Sequence, residues 1–89
     1  MYATRVTFEN GESRPAVTNI GVRPTIDDGD RVTVEGFILD FQGDLYGQTV
    51  RMEFYKRLRG ERKFPSLEAL KDEVMRNAEQ TRTYFSTQP

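Results

Sequence analysis

A mainly β domain with a single C-terminal helix is the fold the sequence predicts, on three observations. Apolar and polar residues alternate at period two through much of the first two-thirds of the chain, turn-forming dipeptides separate those runs, and the period lengthens to three and four after Pro65. Five or so antiparallel strands followed by one helix imply a small β-barrel, or a curled sheet plugged by that helix. With 89 residues, 36% hydrophobic and 30% charged, one domain with one lean core is expected, because chains this short bury only about 60–65% of their unfolded surface.

The first strand is Tyr2-Ala3-Thr4-Arg5-Val6-Thr7-Phe8, with Tyr2, Thr4, Val6 and Phe8 on one face and Ala3, Arg5 and Thr7 on the other. Starting at residue 2, it has nothing before it to cover one side and is expected at an open edge. Asn10-Gly11 follows and predicts a hairpin through a type I′ turn, which needs positive φ at both central residues. The return strand is expected over roughly Arg14 to Ile20, broken by Gly21-Val22-Arg23-Pro24-Thr25, with Asp27-Asp28-Gly29-Asp30 as an exposed acidic turn. Val32 to Phe41 is the most strand-like run. Gln42 to Gly47 is a turn with two glycines, and Thr49 to Tyr55 alternates cleanly, placing Val50, Met52 and Phe54 on one face. Ser66 is placed to cap a helix over about 66–85, with Glu68 in its first turn. Leu67, Leu70, Val74, Ala78, Thr81 and Phe85 form its apolar stripe.

Composition narrows the chemistry. The chain has no Cys, His or Trp. Disulfides, thiolate nucleophiles, cysteine-held metals and the commonest general base are therefore excluded, and acid–base work falls to Asp, Glu, Lys or Tyr. No apolar run approaches the roughly 20 residues of a membrane span and no signal peptide opens the chain, so a soluble cytoplasmic domain is expected. The net charge of −1 hides an asymmetry: residues 1–50 carry four Arg and eight acids, and residues 51–89 nine bases and six acids. The positive charge concentrates in Lys56-Arg57-Leu58-Arg59-Gly60-Glu61-Arg62-Lys63, which is either a solvated loop or a collector of phosphate, nucleotide or nucleic acid.

Glu35 is the most informative single residue. It lies in an apolar strand run beside Gly36, on the face that carries Phe37 and Leu39 if the pleat is regular. A carboxylate there costs free energy unless paired. It is either a barrel-mouth acid paired with an arginine, or a general base that accepts a hydroxyl proton, with Gly36 leaving room for a ligand. Thr25 with Asp27, Asp28 and Asp30 supplies oxygens at close spacing, but in no calcium-loop pattern, and reads as a solvated turn rather than a metal site. The Gly43–Gly47 turn matches no phosphate loop, although its backbone could approach a ligand and Tyr46 could stack on one.

Five segments in order resemble the riboflavin kinase domain of bacterial bifunctional riboflavin kinase/FMN adenylyltransferases. They are Tyr2-Ala3 with Val6, Asn19 to Thr25, Val34-Glu35 with Ile38 to Phe41, Asp44-Leu45-Tyr46-Gly47, and Leu58 to Phe64 with Ser66 to Leu70. The resemblance implies a six-stranded antiparallel barrel with a C-terminal helix. Its reaction would transfer the ATP γ-phosphate to the ribityl 5′-hydroxyl of riboflavin, giving FMN and ADP with Mg²⁺ assistance. Glu35 falls on the catalytic base, Asp44, Leu45, Tyr46 and Gly47 on the turn bordering the nucleotide, and Arg59, Glu61 and Phe64 on the loop closing over the flavin.

Gly60 stands where the family often has Pro. The family's upstream Gly-Phe-Pro-Thr-Ala-Asn motif, whose Thr and Asn hold magnesium and phosphates, has no counterpart in these 89 residues. The resemblance thus implies a C-terminal portion of the domain without its metal ligands, weakly active or inactive alone, with an exposed strand edge that invites self-association. A non-catalytic flavin- or nucleotide-binding module is the alternative. A small barrel binding RNA through Lys56 to Lys63 is the third reading, and the acidic N-terminal half argues against nucleic acid.

Overall fold

The structure, a computed structural model, describes residues 1–24 and 29–87. Among them are four strands and one helix: β1 (Tyr2–Thr7), β2 (Ser13–Pro24), β3 (Asp30–Ile38), β4 (Arg51–Arg57) and α1 (Leu67–Ser86). The strands form one antiparallel sheet in the order β3-β2-β1-β4. No pairing joins β3 to β4, so the sheet is an open, incomplete barrel. Mainly β with a C-terminal helix is the observed class, with four strands rather than five among the described residues. The 42–47 stretch is a turn as expected, with Gly43 and Gly47 at positive φ and the Asp44 carboxylate accepting from the Tyr46 amide at 2.7 Å.

Three strand expectations are corrected. β1 is not an edge strand: Tyr2–Thr7 pairs with β2 on one side and β4 on the other, and the edges are β3 and β4. β2 is not broken at Gly21 but runs on to Pro24, because β3 returns beside it from Pro24↔Asp30 to Ala16↔Ile38 and supplies partners along that whole length. The Asn10-Gly11 hairpin is present without a type I′ turn. Gly11 alone has positive φ there, its amide donates to the Phe8 carbonyl at 3.0 Å, and the Phe8 amide donates to Glu12 at 2.8 Å. That is the three-residue loop built on a type I turn followed by a left-handed glycine. The Asn10 side chain accepts from the Glu12 amide rather than entering left-handed space.

Strand alternation sorts the core onto two faces. On one face Val6, Phe8 and Ala16 are buried with Ile38, Phe41, Leu45 and Met52 packed against them. The buried Thr4 and Thr18 hydroxyls meet there at 2.8 Å. On the other face Val17 and Leu39 pack against Ala78 of α1, and Arg5 lies over the Phe85 ring. Ser66 caps the helix, its hydroxyl accepting from the Ala69 amide at 3.1 Å.

The predicted stripe of α1 is buried only in its C-terminal half. Leu67 is 72% exposed and Leu70 37%, whereas Glu73, Asn77, Ala78 and Thr81 are buried. The helix packs on the sheet through later residues such as Ala78 and Phe85, so Leu70 reaches beyond the core to line a cleft. Among the described residues no helix is long and apolar enough to cross a membrane.

Candidate functional site

The helix-side face of the sheet does not lie flush against α1. Between β2, β3, the segment from Leu58 to Phe64 and the first turns of α1 is a cleft of about 500 Å³. β3 brings Glu35 to its wall, opposite Asn19 in register, with Phe37 on the same side of the strand. The segment after β4 brings Arg59, Glu61, Arg62 and Phe64. Leu70 and Val74 of α1 supply apolar lining, which is why the front of the helical stripe is not packed into the core.

The loop is folded rather than extended. It begins on the β4 ladder, where the Leu58 and Arg59 amides donate to the Met1 carbonyl at 2.8 and 3.3 Å and the Met1 amino group donates to Arg59 at 2.8 Å. Burial, together with the charges of Arg59 and Arg57, lowers the pKa of that amino group. The Arg59 and Arg62 guanidiniums lie over the Phe64 ring, 5.4 and 4.8 Å from its centroid. Glu61 comes back over β2 at Gly21, where a Cβ would sit 3.1 Å from its carboxylate oxygen. A basic run that reads as a loose, solvated loop is thus held by specific partners. Lys56, at its start, lies over the Tyr84 ring at 5.7 Å.

The cleft gathers Glu35, Arg59, Glu61 and Phe64 from separate parts of the chain. It does not include Asp44, Leu45, Tyr46 or Gly47. Leu45 packs in the core cluster of the opposite face and Tyr46 is 95% exposed. Gly36 lines the cleft beside Glu35, although its missing side chain is not what opens that space. Residues 35 and 36 point to opposite faces, and a Cβ on Gly36 would meet the Met52 methyl at 3.2 Å and the Thr18 hydroxyl at 3.3 Å. Gly36 touches the cleft only through its backbone edge. The Asp27–Asp28 turn with Thr25, weighed as an oxygen-ligand cluster, lies outside the described residues. Among the described residues no group of three acidic side chains is placed to hold a metal ion.

Sequence reasoning missed Glu73 and Asn77, which are polar yet buried on α1 beneath the loop. Their signal was the spacing of four that puts both on one helix face, read against the need of Arg59 and Arg62 for acceptors. An apolar stripe alone does not reveal it, because the loop that buries these two residues comes from outside the helix.

The class the fold and site define is a small β domain, an incomplete antiparallel barrel with an apolar cleft lined by a strand carboxylate and loop cations. The comparisons narrow the class. The family model described as flavokinase, riboflavin kinase, matches residues 1–85, and the chain belongs to that family. It is 37% identical over 87 residues to a bifunctional riboflavin kinase/FMN adenylyltransferase of Haemophilus influenzae, covering 98% of this chain and 28% of that protein. The protein of the same name from Pseudomonas fluorescens is 46% identical over 65 residues, 73% of this chain and 21% of its own. A crystal structure from Streptococcus pneumoniae, titled a macrolide-efflux protein, superposes with a TM-score of 0.83 and 32% identity. It covers 91% of this chain and 26% of that one. The chain therefore spans only 28% and 21% of the length of these two curated relatives.

Proposed function

We propose that the cleft binds riboflavin and that Glu35 accepts the proton of the ribityl 5′-hydroxyl as that oxygen attacks the γ-phosphorus of ATP, yielding FMN and ADP. The observation that carries this reading is the meeting, in one cleft, of a strand carboxylate with Arg59, Glu61 and Phe64 of a folded loop, in a chain of the riboflavin kinase family. A flat heteroaromatic ring suits a slot with apolar walls and few polar groups, and Phe37, Phe64, Leu70 and Val74 supply such walls. Glu35 is solvent-accessible at the rim, where a base can reach a hydroxyl on a flexible chain. Asp44, Leu45, Tyr46 and Gly47, outside the cleft, are assigned to the nucleotide side.

Phosphoryl transfer rests mainly on positioning and on neutralising charge at the transferring group. Magnesium is the ion that ATP-dependent members of such a family would use. The donors in this cleft do not fit it: Glu35 and Glu61 share the space with Arg59 and Arg62, and no three-acid group exists among the described residues. These 89 residues also hold no Gly-Phe-Pro-Thr-Ala-Asn motif. The chain by itself is accordingly expected to bind flavin and to form FMN weakly or not at all.

Titration with riboflavin should quench its fluorescence, and a flat titration would remove the flavin reading. Robust FMN formation by the chain alone, given riboflavin and Mg-ATP, would show that the missing motif is not needed. In a longer protein that carries this domain, Glu35→Gln should lower turnover by about two to four orders of magnitude and leave riboflavin affinity within about twofold. Unchanged turnover would strip Glu35 of the role of base.

A non-catalytic flavin-binding module is the second reading, favoured by the absence of the Asp44–Gly47 turn from the cleft. It predicts quenching without turnover even in the longer protein. Self-association belongs to the β3 edge, where Val32 and Val34 are exposed. Sedimentation across concentration tests it, and a monomer throughout would end it.

A further inference from the structure

We infer that Glu73 and Asn77 of α1 are positioning residues that latch the Arg59–Phe64 loop in the shape a flavin would meet, an inference resting on the flavin reading above. Neither lines the cleft. Glu73 Oε2 accepts from Arg62 Nη1 at 3.1 Å and from Arg76 Nη2 at 3.4 Å, and its Oε1 accepts from Asn77 Nδ2 at 3.4 Å. Asn77 Oδ1 accepts from Arg59 Nε at 3.1 Å, and its amide also donates to Gln80 at 2.9 Å. Two loop cations are thus each tied to one of two side chains a helical turn apart.

The burial of these acceptors is what makes them informative. The Glu73 side chain is 7% exposed and Asn77 is 2% exposed. A carboxylate this buried is costly unless it is paired, and α1 alone supplies it with only Arg76 and Asn77. The third donor, at the shorter distance, comes from the loop. The loop needs the help. Beyond Arg59, residues 60–64 make no backbone–backbone hydrogen bond among the described residues. Side chains hold them instead: the two guanidinium ties, the Phe64 ring beneath both guanidiniums, the Gly60 carbonyl accepting from Arg59 Nη1 at 3.1 Å, and Glu61 against Gly21. Cutting either tie frees a five-residue segment, and a ligand that closes it must then order it at a cost in affinity.

The test combines hydrogen exchange with riboflavin titration on the 89-residue chain, comparing wild type with Glu73→Gln, Asn77→Ala and, as a control, Arg76→Ala. Arg76 touches Glu73 from the helix and not from the loop, so its loss should leave the loop as it is. Glu73→Gln and Asn77→Ala should each speed exchange of the Leu58 and Arg59 amides, whose hydrogen bonds to the Met1 carbonyl anchor the loop, by about tenfold, leave amides 78–84 of α1 unchanged, and weaken riboflavin binding by about the same factor.

Unchanged loop exchange would overturn the latch, as would helix amides speeding in step, which would make Glu73 a helix residue only. Unchanged riboflavin affinity with a loosened loop would also overturn it. So would tighter FMN binding by Glu73→Gln, because Glu73 would then be holding Arg62 away from a ligand phosphate. If Glu73→Gln does not fold, Asn77→Ala carries the same test through Arg59. A wild-type chain that fails to quench riboflavin would overturn the flavin reading, and the exchange data would then decide alone whether the helix holds the loop.

Discussion

Thr4 and Thr18 occupy positions where the strand pattern would accept valine, and both are fully buried. Thr4 Oγ1 lies 3.1 Å from the Ala16 carbonyl and 2.8 Å from Thr18 Oγ1. A carbonyl only accepts, so the Thr4 proton goes to Ala16 and Thr18 donates to Thr4. Replacing Thr4 alone leaves Thr18 with the Met52 sulfur at 3.6 Å as its remaining acceptor. Thr4→Val should therefore destabilise by about 1–2 kcal/mol, while Thr4→Val with Thr18→Val should recover most of that loss, since removing both partners removes the unmet need. Urea denaturation of the two variants measures the difference, and equal midpoints would refute the pairing. Glu35 was legible at this scale because a charged side chain interrupts an apolar run. Glu73 and Asn77 were not, because a polar residue on a helix reads as solvent-facing until a loop from elsewhere is laid over it.

At the scale of elements, α1 was legible from its cap to its last turn. Ser66 is the N-cap, and the helix spans Leu67–Ser86, as the spacing and the residue before it predict. Ser66→Ala removes the acceptor for the Ala69 amide and should cost about 1 kcal/mol. The loss should appear as a lower urea midpoint and as faster exchange confined to the first turn, while faster exchange at Thr81 would mean that the cap acts globally. The strands were legible in their faces and not in their lengths or neighbours. Alternation put Thr4, Val6 and Phe8 together, and they are together in the structure. Nothing local to Gly21 or Pro24 shows that β3 returns beside them, so a pair of residues that usually ends a strand reads as a break. The ion pair of Arg82 with Asp40 at 3.1 Å joins α1 to the turn after β3, while its pair with Glu79 at 2.6 Å lies within α1, and the Asp40 hydrogen bond leads in raising the arginine pKa. They are exposed, so Arg82→Ala should shift the urea midpoint little and by less as salt increases.

For the whole molecule, the Cα radius of gyration is 14.4 Å, against about 12 Å for a compact domain of this length. The core is correspondingly small, with seven buried hydrophobic residues among those described. Leu39 is fully buried where β2, the residue after β3 and α1 meet. Leu39→Ala should cost about 2–5 kcal/mol, a large share of the stability expected for a domain that is marginal by size. Loss of a cooperative urea transition, or a midpoint moved by a third or more, is the expected result, and a shift within error would place the core elsewhere. By itself the sequence determined which residues share a strand face, where the helix begins, and that Glu35 is an anomaly wanting a reason. Each of these is a property of neighbours within a few positions. Only the tertiary structure decided that β1 is central, that the early turns of α1 line a cleft, and that Glu35 faces Arg59, Glu61 and Phe64 while the loop is tied down from behind. Those outcomes depend on backbone pairing and helix docking between residues tens of positions apart, which no local period encodes.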